Sequence, residues 1–371
     1  MTNTDEIIEI ENQDELNLAV RPVYMENDIN VRIAKEQSSV FELLRREKRG
    51  DLVLAPDFQR NDVWDLKHKS ELIESILMGF PIPLIYLFEN ENGIRQVVDG
   101  KQRISALKAF LNNEFALTTL SMLPDLKGKT FDDIRPLSQA KLEDYQLHTY
   151  IIQPPTPEFV KFNIFERVNR SGISINKQEM RHALYQGKAT DLLQVLAESD
   201  AFKLCTGHGV KSDRMRDRYL VLRFIAFYLL KAEKTPSTNI EYKSDIDSFL
   251  AATMAYLNEK ASDELIQHIK QACLQGMNST YKIIGDQAFR FDSKASAHKR
   301  PINMGLFEML VFAFSQIKFD TTNIEKANNL INEKKVFLDE QGSFGSTLDT
   351  IEQVTMRFNT ALEITEGLTH A

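Results

Sequence analysis

The dipeptides Asn92-Gly93 and Asp99-Gly100 bracket the short run Ile94–Val98, and they limit the fold more tightly than any other stretch. Upstream, Pro81-Ile82-Pro83 forbids a helix and feeds an extended run, Leu84–Phe88. Glu91-Asn92-Gly93 then turns the chain, because Asn-Gly accepts the positive φ that a tight hairpin requires. Arg95–Val98 returns as the second strand. Asp99-Gly100 breaks that strand, and a helix begins at once, with Ile104, Leu107 and Phe110/Leu111 spaced to share a buried side. A hairpin running straight into a helix is the seed of an α/β core.

A strand that turns through Asp-Gly into a helix suits an anion. The first turn of a helix has N–H groups with no intrahelical acceptor, and the helix dipole favours negative charge there. Gly100 has no Cβ to block a phosphate, while Lys101 and Arg103 bring charge to the same place. Asp99 is a candidate for a magnesium ion or a ribose hydroxyl, and Gln102 for orienting a water. The same residues also read as an ordinary turn with surface charges. Gln59-Arg60 follows an extended segment and is placed to fold over the turn, and Trp64 is read as a base-stacking or core-filling ring. A third polar cluster is Phe165-Glu166-Arg167-Val168-Asn169-Arg170-Ser171-Gly172, followed by Gln178-Glu179-Met180-Arg181.

The rest of the chain divides by composition. Residues 1–30 are acidic and aperiodic and read as an N-terminal arm. Ser38 or Ser39 caps a helix that ends at Gly50, and Leu52–Leu54 is extended. Lys69–Gly79 is a helix with Leu72, Ile73, Ile76 and Leu77 on one face. Pro136 opens another helix, Leu147–Ile152 reads as a strand, and Pro154-Pro155-Thr156-Pro157 as a stiff linker. Beyond it the pattern is nearly all helical: Phe159–Val168, a capping box at Asn176–Glu179, an apolar run Tyr219–Leu230, then Ile246–Leu257, Asp263–Leu274, Asn303–Phe314, Asn323–Asn332 and Thr350–Phe358. The expected class is α+β and helix-rich, with an α/β domain over 31–190 and an α-helical domain over 191–371.

Charge and cysteine content narrow the function classes. The chain of 371 residues carries a formal net charge of −8, which disfavours non-specific coating of nucleic acid. Local basic islands run against that sign: 45–49, and 211–218 with Arg214, Arg216 and Arg218, which are the candidates for a DNA contact. Two cysteines, Cys205 and Cys273, stand far apart with no CxxC, against both a disulfide framework and a zinc site. No run approaches the ~20 apolar residues of a membrane span, and the N-terminus lacks a signal-peptide pattern. A cytoplasmic protein without a membrane partner is expected. His298-Lys299-Arg300-Pro301 is similar to a nuclease His-x-x-Pro but lacks its acidic neighbour, and Asp245 with Asp247 needs no metal.

Taken together, Pro56-Asp57-Phe58-Gln59-Arg60 with Trp64, Leu72–Leu77, Pro81-Ile82-Pro83, Val97–Arg103, Phe165–Asn169 with Gly172, and Gln178–Arg181 give residues 38–187 a resemblance to a large prokaryotic family. Its best-known member is the N-terminal, nucleotide-hydrolysing half of the GmrSD modification-dependent restriction enzymes, and the defence protein SspE carries a related domain. The resemblance implies a ParB/sulfiredoxin-like fold whose Asp-Gly-x-x-Arg turn contacts nucleotide phosphates. On that basis NTP is the expected ligand or substrate, with Mg²⁺. Asp99, Gln102 and Arg103 are the expected catalytic groups, Asp99 the metal ligand, and Arg60, Gly100, Lys101, Arg103, Arg167 and Asn169 the nucleotide-binding set. The family turn commonly reads Asp-Gly-Gln-Gln-Arg, and here Lys101 replaces the first Gln. No HNH nuclease pattern follows the resemblance, so a separate nuclease or defence-system protein is an expected partner. The competing readings are a non-enzymatic DNA-binding module and a DNA nickase built on the ParB-like fold itself.

Overall fold

The computed structural model describes residues 31–54, 64–118, 120–156, 158–168, 176–232, 240–292, 299–318, 324–345 and 347–369. Of these, residues up to 168 form one compact unit and those from Asn176 onward a second.

The first unit is built on a mixed five-stranded sheet in the order β1-β5-β3-β4-β2. Its strands are β1 (Arg32–Ser39), β2 (Leu52–Val53), β3 (Ile85–Glu89), β4 (Arg95–Asp99) and β5 (Gln146–Gln153). The expected hairpin is β3–β4. Gly93 takes φ +75°, and the Asn90 side chain accepts from the Asn92 and Ile94 N–H groups. Strand β5 runs parallel to β3 and antiparallel to β1, while β2 runs parallel to β4. Strand β1 is not foreshadowed by the sequence. Its RIAKEQSS is largely polar and only half exposed, as an edge strand tolerates, so it lacks the apolar alternation that marks a strand.

Helices α1 (Val40–Arg49), α2 (Leu66–Met78), α3 (Lys101–Leu111), α4 (Pro136–Glu143) and α5 (Glu158–Val168) complete the unit. Ser39 caps α1 by accepting from the Glu42 N–H, and Gly50 closes it in the left-handed region. Helix α2 starts three residues earlier than its apolar period suggests, because Asp65 caps it through the His68 N–H at 2.8 Å. Ile73, Ile76, Ile85, Leu87, Val97, Ile104, Leu107, Phe110, Leu147 and Ile151 form the core on one face of the sheet. On the other face α5 packs against β4, and Phe88, Val98 and Ile152 are buried.

The second unit is helical: α6 (Lys177–Leu184), α7 (Lys188–Ala197), α8 (Asp200–Cys205), α9 (Arg216–Lys231), α10 (Ile246–Glu259), α11 (Asp263–Ile284), α12 (Met304–Gln316), α13 (Ile324–Glu340) and α14 (Ile351–Thr369). The architecture is thus α+β and helix-rich, with the sheet in the N-terminal part. The expected capping box opens α6, where Asn176 and Glu179 bond each other's backbone N–H. Helices α9 and α12 are apolar nearly all round and are buried accordingly. Gly276 lets α11 approach α12 closely, since a Cβ there would lie 2.2 Å from the Val311 carbonyl oxygen. Inside this core Arg223 pairs with Glu308 and with Asp349 (2.7 Å), and Arg357 pairs with Glu308 at 3.1 Å. Cys205 and Cys273 are both buried free thiols, which burial pushes well above their usual range.

Candidate functional site

The site grows from the end of β4. Pairing with β3 is regular from Glu89↔Arg95 to Leu87↔Val97, then shifts by one residue so that Tyr86 faces Asp99. Such a bulge re-aims the side chains at a strand end. Gly100 follows at φ +100° and is the N-cap of α3, with no side-chain cap. The Ile104 N–H donates to the Gly100 carbonyl at 3.0 Å, closing the first helical turn. Glycine is required twice over here. An L-residue resists this φ, and a Cβ would lie 2.9 Å from Ile85 Cγ1 and 3.4 Å from Arg103 Nη2.

Arg103 points inward. Its side chain is 10% exposed, and its guanidinium donates to the Asp99 carboxylate, to the Pro83 carbonyl and to the Leu84 carbonyl at 3.1 Å. It therefore braces the first turn of α3 against the start of β3. Asp99, a third exposed, is the acid of that i,i+4 pair. Gln102 Oε1 accepts from the Trp64 N–H at 3.4 Å. Trp64 itself is half-buried against the N-terminal core, its ring centroid 6.3 Å from His68. Lys101 is half-buried at the first position of α3.

Of the remaining predicted residues, Arg60 and Asn169 lie outside the described residues. Their described flanks are informative in one case: β2 runs parallel to β4 and so ends toward Asp99, and Trp64 bonds Gln102. Arg167 is exposed in the last turn of α5. Among the described residues no three His, Cys, Asp or Glu side chains gather in a way that would hold a metal ion. Asp99, the expected metal ligand, pairs with Arg103.

A feature that sequence reasoning missed lies beside the turn. Across the sheet, Lys35 pairs with Tyr150, Tyr150 with Tyr86 and Tyr86 with Asp99, which makes one row spanning four strands. Side chains in register share a face, and for Lys35, Tyr150 and Tyr86 this is the face away from the main core, while Asp99, across the bulge, pairs with Arg103. The two tyrosine rings meet edge to face at 5.7 Å, and Lys35 Nζ lies 5.2 Å from the Tyr150 centroid. In the next row Gln37 Nε2 and His148 Nδ1 are hydrogen-bonded at 3.1 Å. Finding this row needed the register of β1, which the polar sequence of that strand conceals.

The second unit engages its predicted residues in other ways. Arg214 is exposed and adopts φ +55°, with its guanidinium 3.5 Å from Glu179. Arg218 is mostly buried and pairs with Asp217 (3.8 Å) and Glu198 (3.4 Å), while Arg216 is half-buried at the start of α9. Asp245 caps α10, accepting from the Ser248 N–H and hydroxyl, and Asp247 pairs with Lys177 and Arg181. Arg181, which belongs to the Gln178–Arg181 motif, is buried, bonds Gln178 at 3.1 Å and stacks over Tyr219 at 5.5 Å. Lys299 and Arg300 hold Asp286 and Asp339, and His298 lies outside the described residues. Among the described residues no helix is long and apolar enough to cross a membrane.

No curated protein matches the chain. A family model does match, and its span runs from the start of α1 to just past α6, taking in strands β2–β5 but not β1, the bulge, the Asp99–Arg103 turn and the buried Gln178–Arg181 motif. Residues 40–186 match the model of the family described as GmrSD restriction endonuclease, N-terminal domain.

Proposed function

We propose that the Asp99–Arg103 turn is the phosphate-holding element of an NTP-binding and NTP-hydrolysing protein. The GmrSD-type domain suggests a restriction-like or phage-defence setting for that activity. The observation that carries the reading is Gly100: it opens α3 directly from β4 at φ +100° with no side-chain cap, so backbone and dipole are presented to an incoming anion. Lys101 adds a positive charge at the first helical position. Asp99 and Arg103 brace the turn, and Gln102 couples it to the segment ending at Trp64. Arg60, Arg167 and Asn169 complete the pocket in this reading. Magnesium would enter with the nucleotide, held chiefly by phosphate oxygens, as that ion usually is.

The test is nucleotide binding read by the emission of Trp64, the chain's single tryptophan, together with phosphate release in Mg²⁺ for each NTP. Lys101→Ala is the informative variant, because Arg103→Ala also removes the brace. Weaker binding is expected for Lys101→Ala, with urea unfolding measured alongside to separate it from any change in the fold. No NTP-dependent change in the wild-type protein by either readout would sink the reading. Steeply salt-dependent DNA binding, lost on replacing Arg214, Arg216 and Arg218, would favour a DNA-binding module instead.

A further inference from the structure

The Lys35–Tyr150–Tyr86–Asp99 row has no part in the core. Ile151, Leu87 and Ile85, their neighbours along the strands, point the other way and are fully buried. One row further toward the start of β1, Ile33 pairs with Ile152 and Phe88 with Gln96. Ile152 and Phe88 are 1% and 5% exposed, so the second face is covered there. The face then opens. Tyr86 and Tyr150 are half-buried, and Lys35, Gln37 and His148 are exposed. Two adjacent aromatic rings, partly uncovered, with a lysine and a Gln–His pair at the margin, are unusual on a sheet face that elsewhere is either packed or charged.

One fact ties this patch to the phosphate turn. Tyr86 stands directly opposite Asp99 in the β3–β4 register, and the bulge between Tyr86 and Leu87 is what brings them together. A nucleotide whose phosphate sat at Gly100 would have its base within one or two strand spacings of Tyr86 and Tyr150, and strands are ~4.8 Å apart. Tyrosine rings stack on any nucleobase, whose π-face they match. The cation resting over Tyr150 marks that ring as reachable by a long, solvated side chain. Gln37 and His148 present donors and acceptors at the rim, where a base edge would meet them.

We propose that Tyr86 and Tyr150 form the nucleobase platform of the same site, with Lys35 beside it for phosphate or sugar. The proposal rests on the phosphate reading of the turn and extends it from anion binding to recognition of a base. The chemistry is that of a nucleobase attached to a phosphate, whether in a free nucleotide or in a single strand.

The experiment measures binding calorimetrically for three ligands: an NTP, inorganic triphosphate, and a short single-stranded oligonucleotide. The proteins are wild type, Tyr150→Ala, Tyr150→Phe and Tyr86→Phe. Tyr150→Ala should weaken NTP binding about tenfold, the usual consequence of losing one stacking ring, and leave inorganic triphosphate binding unchanged. Tyr150→Phe and Tyr86→Phe keep the ring and should bind NTP as wild type does, which separates stacking from a folding defect. If Tyr150→Ala lowers oligonucleotide affinity and not NTP affinity, the base belongs to a strand. Equal NTP affinity and equal oligonucleotide affinity for Tyr150→Ala and wild type overturns the platform while leaving the phosphate turn standing. Equal loss of NTP and triphosphate binding overturns it too, since the ring would then act only through the fold. A wild-type protein that binds none of the three ligands overturns both readings.

Discussion

Gly100→Ala separates what the turn needs in order to fold from what it needs in order to bind. An L-residue in the left-handed region loses roughly 1–2 kcal/mol. The added methyl carbon would also lie 2.9 Å from Ile85 Cγ1, a branched side chain with no exposure, and 3.4 Å from the braced Arg103 Nη2. Forcing one methyl into such packing costs about 1–3 kcal/mol. The expected total is about 2–5 kcal/mol. Gly93→Ala is the internal control: it has φ +75° in the β3–β4 hairpin, with nothing within 4 Å of its built Cβ, so only the conformational part applies. Urea unfolding followed by Trp64 emission reports on the N-terminal unit alone, because that residue is the chain's single tryptophan and packs on that core. With a slope of about 2 kcal/mol per molar urea, the Gly100→Ala midpoint should fall by about 1–2.5 M, and the Gly93→Ala midpoint by about 0.5–1 M. Equal shifts for the two variants would refute the close packing around Gly100. The glycine would then be there for the ligand and not for the fold.

Asp99→Asn and Arg103→Ala should each destabilise the same unit, and the double variant should lose less than their sum, with a coupling of about 1 kcal/mol or more in a denaturation cycle; additive losses would mean that the pair does not act as one brace. Arg357→Met should lower the melting temperature of the helical unit, since it removes one of the two cations paired with the buried Glu308 and leaves Arg223 as its remaining partner, so the loss should stay below the about 3–5 kcal/mol of a fully broken buried pair, and an unchanged melt by circular dichroism would contradict the network. Burial, and then the charge of Arg218, push His182 down to about 4, so the neutral ring is favoured in the fold. Stability from this group is complete above the unfolded histidine value near 6.5 and is lost as the pH falls from there through about 4. His182→Gln should therefore flatten the loss between pH 6.5 and 4 in urea titrations, and an identical pH profile would rule the group out as its source.

Much of the fold was legible because the signals were local. The Asn-Gly hairpin, the Asp-Gly stop, the Ser39 cap and the Asn176–Glu179 box each act within a few residues, and each does in the structure what its chemistry dictates. Strand β1 and helices α7 and α8 were not legible. For β1 the cause is physical: an edge strand buries little, so selection for burial leaves no periodic mark on RIAKEQSS. Helix α11 runs on to Ile284, ten residues past its apolar opening, and its later turns pack through Gly276, Met277, Thr280 and Ile283, where the small and polar members weaken the apolar stripe. The register that aligns Lys35, Tyr150, Tyr86 and Asp99 joins residues more than a hundred positions apart, and no local pattern encodes it.

The site shows a subtler gap. Spacing marked Arg103 as a cation at a helix start but left open which way it points, and a phosphate grip and an internal strut use the same residue type. One clue was in the sequence all along. Asp99 and Arg103 stand at i and i+4, the spacing at which opposite charges on a helix find each other. Once they pair, and the guanidinium also takes the Pro83 and Leu84 carbonyls, three of its hydrogen bonds are spent on holding the β4–α3 junction against β3. An arginine so engaged contributes to anion binding by keeping the Gly100 backbone in place, which makes it a positioning residue. Its removal would abolish binding and stability together and so prove little about the ligand. Lys101 carries charge at the same helix start and is half-buried there, so its neutralisation is read with binding and urea unfolding measured side by side, and a loss of binding larger than the loss of stability assigns the charge to the ligand.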